Sequence, residues 1–279
     1  MKLAVVGVGV IGSGVVQRFA MYENDVIAVD ISSEILDKSM KNIVSNVRLY
    51  NMLNKDNHLN IDKLLNQVKF TTDYALINEV DFVIENVTEN FEVKKEVYRE
   101  LDSVCHKDCL FLINTSCISI TKISGLMSQP DRVIGVHFMN PVPMRKAAEV
   151  IKGYYTSEFT VEKVKNMLKR VDIMPIIVND YPGFVSNRIS HLMINEAAWV
   201  VQDGVASPEE VDIIFKLCFE HKMGPLETAD LIGLDVVTDS LDILYKSYQD
   251  PKFRVAPLLR KMVEAKLFGR KSGEGFYKY

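Results

Sequence analysis

The chain reads as an α/β protein with a doubly wound, mostly parallel sheet, followed by an all-helical C-terminal domain. Three observations predict this. Short apolar runs of strand type alternate with helical patterns up to about residue 180, as expected for parallel strands joined by helical crossovers. A glycine-rich turn follows the first strand directly. Beyond Asp180-Tyr181-Pro182-Gly183 the strand pattern stops, and only helical periodicity continues.

The first strand, Leu3-Ala4-Val5-Val6, leads into Gly7-Val8-Gly9-Val10-Ile11-Gly12. A helix follows, and then a second strand, Val26-Ile27-Ala28-Val29, ending in Asp30. This is the Rossmann-type dinucleotide fingerprint in the context it requires. Gly7 turns the chain, Gly9 lets backbone N–H groups approach a pyrophosphate, and Gly12 allows close helix packing. Asp30 is placed to accept from ribose hydroxyls, and its charge would repel a 2′-phosphate. The expected cofactor is therefore NAD rather than NADP.

A crossover needs only about a dozen residues, yet about forty separate Asp30 from the next strand, Val68-Lys69-Phe70. Leu36, Met40, Ile43, Val47 and Tyr50 recur at helical spacing. Asn54-Lys55-Asp56-Asn57 breaks that pattern, and Ile61-Asp62-Lys63-Leu64-Leu65 begins another helix. The insertion reads as a helical hairpin standing off the sheet. It carries Lys38, Lys41, Arg48 and Lys55 with no acidic residue between the first and last of them. Each cation alone reads as part of a solvated face. As a group they suit a phosphorylated ligand or an acidic protein.

Further strands are expected at Asp81–Ile84, Leu110–Ile113, Val133–Met139, Ala147–Ile151 and Met174–Val178, with helices at Phe91–Leu101 and Thr160–Arg170. Past the boundary, a long helix is expected over 184–202. Ser207-Pro208-Glu209-Glu210 is a capping box with proline at the first helical position. Helices near 227–232, 235–248 and 257–266 complete the chain. The domains are thus 1–180, dinucleotide-binding, and 181–279, helical. The second has more apolar residues than so small a domain comfortably hides, which predicts a homodimer interface.

His137 lies in the strand-like run Gly135-Val136-His137-Phe138-Met139, and Glu149 lies in the next, Ala147-Ala148-Glu149-Val150-Ile151. Asn140-Pro141 and Pro143 force a loop between them. Two short strands so joined can return the carboxylate to the imidazole, giving a general base suited to neutral pH. On these residues alone, a hydrogen-bonded core histidine and a surface glutamate fit as well.

The composition excludes several classes. The chain has 279 residues, 48% of them hydrophobic and 25% charged, with a net charge of -4. That balance gives no nucleic-acid footprint, and no apolar run approaches bilayer length. Opening directly on a strand predicts no leader and a cytoplasmic location. Cys105, Cys109, Cys117 and Cys218 form no disulfide framework. Cys105-His106-Lys107-Asp108-Cys109 lacks a second pair to complete a metal set.

The fingerprint, the helical insertion, the His137 segment, Asp180-Tyr181-Pro182-Gly183-Phe184-Val185-Ser186-Asn187-Arg188 and Gly269-Arg270-Lys271-Ser272-Gly273-Glu274-Gly275-Phe276-Tyr277 together resemble the 3-hydroxyacyl-CoA dehydrogenase family. The likeness spans residues 1–279. It implies NAD-dependent oxidation of a (3S)-hydroxyacyl thioester, such as 3-hydroxybutyryl-CoA, to the 3-ketoacyl thioester. His137 would be the base and Glu149 its partner, with Ser116 and Asn187 near the substrate oxygen. By the same matching, Glu89, Lys94, Asn114 and Asn140 fall where the family contacts the nicotinamide half or positions the substrate. The basic stretch falls where the family meets the coenzyme A nucleotide.

This sequence departs from the family pattern at three places. Asn86 stands where a small apolar residue is usual, Met144-Arg145-Lys146-Ala147-Ala148 replaces larger apolar residues, and Cys117 follows the serine. Gly224–Leu231 and Tyr248–Arg254 also resemble a branch acting on a small hydroxyacyl group, such as glyceryl, on an acyl carrier protein. Two further readings are a free hydroxy-acid enzyme of the gulonate dehydrogenase type and a non-catalytic protein of the lens-crystallin type. The basic stretch argues against the first, and the four intact site residues argue against the second.

Overall fold

Leu3, Ala4 and Val5 have no exposed surface, because the first strand lies inside a sheet covered on both faces. The computed structural model describes residues 1–53 and 58–279, which separate into two compact units, Met1–Asp180 and Tyr181–Tyr279. In the first unit, β1 (Lys2–Val6), β2 (Asp25–Val29), β3 (Val68–Thr71), β4 (Phe82–Glu85), β5 (Leu110–Ile113), β6 (Val133–His137), β7 (Ala147–Lys152) and β8 (Met174–Asn179) form one sheet. Its order is β3-β2-β1-β4-β5-β6-β7-β8. Every pairing is parallel except β6 with β7. The order reverses between β1 and β4, so the carboxyl ends of these strands flank the switch-point crevice where such sheets bind ligands.

The β6–β7 pairing is antiparallel because a short loop, with a cis Asn140–Pro141 bond, returns the chain at once. Strand pairing was expected to run on to Met139, but it ends at His137. The next N–H, of Phe138, donates to the Asn114 side chain at 3.1 Å instead of to a ladder. Pro175 sits within β8; only an edge strand tolerates it, since one hydrogen-bonding side is open.

Around the sheet lie α1 (Val10–Ala20), α2 (Ser33–Leu53), α3 (Ile61–Leu65), α4 (Phe91–Val104), α5 (Ile120–Ser124) and α6 (Glu158–Arg170). The insertion is helical, but α2 does not stand off the sheet. Its stripe, Leu36, Ile43 and Val47, joins the same buried cluster as Leu3, Val5 and Phe19. Met40, at the margin of that stripe, is exposed. The break at Asn54-Lys55-Asp56-Asn57 lies outside the described residues.

The second unit contains α7 (Ser186–Gln202), α8 (Pro208–Cys218), α9 (Pro225–Ile232), α10 (Leu234–Tyr248) and α11 (Pro257–Glu264). The long helix starts at Ser186 rather than at 184. Gly183 and Phe184 take φ of 76° and 50°, which no right-handed helix contains. Ile194, Ala198, Leu234, Val237, Leu241 and Leu259 make its core. The Ser207 box forms as the spacing predicts: Glu210 N–H donates to Ser207 Oγ at 3.3 Å, and Ser207 N–H to Glu210 Oε2 at 2.8 Å. Two buried carboxylates clamp the C-terminal segment. Asp230 accepts from Phe276 N–H, Tyr277 N–H and the Tyr279 hydroxyl, and Asp212 accepts from Leu226 N–H, Glu227 N–H and the Tyr277 hydroxyl. Among the described residues, no helix is long and apolar enough to cross a membrane.

Candidate active site

The three glycines of the first turn are needed for three different reasons. Gly7 has φ +83°, and a Cβ there would lie 2.7 Å from the Asn86 carbonyl carbon and the Val87 nitrogen. A Cβ on Gly12 would lie 1.9 Å from the Gly7 oxygen, so only glycine lets α1 approach the turn. Gly9 instead borders open space, with nothing within 4 Å of its Cβ position. It precedes a helix whose N-terminus has no side-chain cap and no acidic residue in its first turn. Such an end attracts an anion.

Asp30 closes this cradle. Its Oδ2 accepts from Val8 N–H at 2.7 Å and its Oδ1 from Ile31 N–H at 2.8 Å. Each carboxylate oxygen can accept more than once, so capacity remains for ribose hydroxyls. These residues fit NAD: Gly9 and the α1 N-terminus for the pyrophosphate, Asp30 for the adenosine ribose.

Farther along the same edge, the antiparallel register sets His137 directly opposite Glu149. His137 Nδ1 lies 3.0 Å from Glu149 Oε2, and both residues are buried, 8% and 6% exposed. A carboxylate only accepts, which assigns the ring proton to Nδ1 and leaves Nε2 as the acceptor. Ser116 Oγ lies 3.3 Å from that Nε2. The sheet thus brings Ser116, His137 and Glu149 into one line.

Glu89 anchors the serine loop. Its Oε1 accepts from Thr115 Oγ1 at 2.5 Å, Ser116 N–H at 2.9 Å and Cys117 N–H at 3.0 Å. Ser116 is not the cap of the helix that follows. Ser119 caps α5, its hydroxyl accepting from Lys122 N–H. Lys94 has no exposed surface. Its ammonium meets both Glu85 oxygens at 2.7 and 2.9 Å, and the Asn114 and Val87 carbonyls at 3.1 and 3.4 Å. It reaches the site through the backbone it holds rather than by direct contact. Burial pushes the Glu85 carboxyl above its usual range, against the pull of Lys94 and the Val87 N–H.

The remaining expected residues lie on other elements. Asn140 is exposed, and its carbonyl accepts from Arg145 Nε and Nη2 at 3.2 and 2.9 Å. Arg145, the added charge in the loop before β7, therefore braces this loop. Lys38, Lys41 and Arg48 share the exposed face of α2; Lys55 lies outside the described residues. Asn187 belongs to the second unit, in the first turn of α7, where its carbonyl lies 2.9 Å from His191 Nδ1. Asn187 is not the cap of that helix, since Val185 precedes the first helical residue.

The model of the 3-hydroxyacyl-CoA dehydrogenase NAD-binding domain matches residues 2–181, and that of the 3-hydroxyacyl-CoA dehydrogenase C-terminal domain matches 183–279. This chain belongs to that family. It is an NAD-dependent oxidoreductase acting on 3-hydroxyacyl-CoA. A 3-hydroxybutyryl-CoA dehydrogenase of Clostridioides difficile is 43% identical over 286 residues, covering 100% of this chain and 99% of its own. Human mitochondrial hydroxyacyl-coenzyme A dehydrogenase is 35% identical over 284 residues, 99% of this chain and 90% of its own. The crystal structure of (S)-3-hydroxybutyryl-CoA dehydrogenase from Ralstonia eutropha matches with TM-score 0.96 at 39% identity, covering 100% and 98% of the two chains.

Within this dehydrogenase, sequence reasoning missed Glu85 and Thr115. Glu85 carried a signal, a carboxylate closing the otherwise apolar run Phe82-Val83-Ile84 with a lysine on the next helix. A charge in such a run must find a partner. Thr115 carried none. Its hydroxyl also accepts from Ile118 N–H at 2.9 Å, a local turn bond that many threonines make.

Proposed function

We propose that this dehydrogenase oxidises a short-chain (3S)-hydroxyacyl thioester, with 3-hydroxybutyryl-CoA as its reference substrate and His137 as general base. The line Ser116 Oγ, His137 and Glu149, at 3.3 and 3.0 Å, carries the reading. His137 Nε2 takes the proton of the substrate hydroxyl. Glu149 keeps the other ring proton on Nδ1 and stabilises the imidazolium that forms. Ser116 orients the reacting oxygen beside Nε2, and Asn187 is assigned the same oxygen. Bound NAD supplies the hydride acceptor. Gly7, Gly9, Gly12 and Asp30 would hold the cofactor; Glu89, Asn114 and Asn140 would contact its nicotinamide half or position the substrate, with Lys94 acting through the backbone it holds.

Residues 1–180 serve as the cofactor domain, and 181–279 for substrate binding and homodimerisation. Ile213, Ile214, Leu217 and Phe219 stand 49–77% exposed on and just after α8, which supports a self-association face. Sedimentation should give a dimer, and Leu217→Asp should yield monomer. A dimer unaffected by that change removes the face from consideration.

The carrier has a second reading with its own support. Leu49 and Met52 are 53% and 75% exposed on the α2 face that bears Lys38, Lys41 and Arg48. A mixed apolar and basic face suits an acidic carrier protein as well as coenzyme A. One hydroxyacyl group offered on coenzyme A, on pantetheine and on acyl carrier protein tests whether a carrier protein serves beside coenzyme A. Absence of NADH formation with every thioester sinks the function itself.

A further inference from the structure

Asn86 follows the last residue of β4 and touches both halves of the site. Its backbone lies against the glycine turn, where Cβ atoms on Gly7 and Gly12 would meet Asn86 atoms at 2.7 and 3.5 Å. Its own N–H donates to Val6 O at 2.6 Å. Its side chain leads the other way. Asn86 Nδ2 donates to Ile84 O at 3.0 Å, and Asn86 Oδ1 accepts from Asn114 Nδ2 at 2.8 Å. Asn114 Oδ1 then accepts from the Phe138 N–H, the peptide directly after His137.

The sense of this relay is set by main-chain groups at both ends. The Ile84 carbonyl can only accept, which turns the Asn86 NH₂ toward it and the Asn86 oxygen toward Asn114. The Phe138 N–H can only donate, which demands the Asn114 oxygen. Turning either amide over would set donor against donor and acceptor against acceptor. Two amides therefore connect the ends of β4, β5 and β6 in one arrangement.

We propose that Asn86 is a positioning residue for the reaction. By accepting from Asn114 it fixes the amide that holds the Phe138 N–H, and so fixes the strand end that presents His137 to Ser116. Without it the Asn114 side chain keeps only its bond to Phe138, and the amide gains freedom to swing. The inference rests on His137 as the base, and it adds a residue that acts through Asn114 rather than on the reacting atoms.

Asn86→Ala should lower kcat by about fivefold to twentyfold while leaving the thioester KM and the NADH dissociation constant within about threefold. The pair Asn86→Ala/Asn114→Ala should lose no more kcat than Asn114→Ala alone, because both act through one connection. An unchanged kcat, or losses that multiply, overturns the proposal. So does a loss confined to KM. Asn86→Ser serves where the alanine variant does not fold, since its hydroxyl is too short to span to Asn114. Hydrogen exchange at the Phe138 amide provides a reading independent of turnover. It should speed up in Asn86→Ala, and unchanged protection overturns the relay. If the unaltered chain turned over no thioester, the function would fall, and the relay would be decided by that exchange alone.

Discussion

His137 and Glu149 in the sheet unit, and Asp212 and Asp230 in the helical unit, are all buried, yet they are partnered differently. The imidazole is engaged by side chains, Glu149 on one nitrogen and Ser116 on the other. Asp230 and Asp212 face backbone N–H groups and tyrosine hydroxyls. Each carboxylate is tied down by three donors, two of them main-chain N–H groups fixed in place by the fold, and so serves as a fixed acceptor. Burial alone therefore does not tell the proposed base from a fastening carboxylate; main-chain donors mark the fastener.

The sharpest way to break this contrast is His137→Gln. Turnover should fall by about 10²–10⁴-fold, with NADH affinity by fluorescence titration nearly unchanged. A large loss of cofactor binding would contradict its role as base. Asp230→Ala should do the converse. Its three donors lose their acceptor, at about 1–3 kcal/mol per stranded group, and part of that returns as water enters. Calorimetry should then show Tm lower by about 5–10 °C, with kcat retained in folded protein. A normal Tm with lost turnover would reverse the assignment of the two units.

Two smaller effects sharpen the contrast at the surface. Replacing Lys38, Lys41 and Arg48 together with alanine should raise KM for the carrier-bound substrate about tenfold at low salt, and less at high salt. A constant KM would mean that this face is merely solvated. In the helical unit, the Lys216 ammonium, 2.7 Å away, holds the Glu227 carboxyl below its usual range. A depressed carboxylate contributes stability above its unfolded pKa and loses it as pH falls through the folded one. Glu227→Gln should therefore lower Tm by about 1–3 °C at neutral pH, with the difference vanishing below the carboxylate range. A gap that persists in acid would show that packing, not charge, is responsible.

Much of the cofactor cradle was legible because it is local. Gly7, Gly9, Gly12 and Asp30 lie within one strand–helix–strand unit, where spacing alone sets turn and helix. Ser116, His137 and Glu149 were legible as candidates but not as an arrangement. The sequence is equally compatible with a core histidine until the β6–β7 register sets Glu149 opposite it. The resemblance puts Glu89 at the nicotinamide half or the substrate, and only the fold shows its Oε1 gathering Thr115, Ser116 and Cys117. Lys94 matches a contact position of the family, while in the fold its ammonium is wholly buried against Glu85. The apolar stripe of α2 was readable, but its depth was not, because a stripe shows which face is buried and not what buries it.

By itself the sequence determined the elements, the dinucleotide turn, the change from α/β to helix near residue 180 and the chemical groups available. Those follow from spacing along the chain, where neighbours are a few residues apart and geometry is set by bond angles and side-chain shape. Only the tertiary structure decided that Glu149 faces His137, that Lys94 is spent on Glu85 and that Asn86 reaches Phe138 through Asn114. Each joins residues from different strands or helices, and such contacts depend on strand order and register, which come from packing the whole sheet.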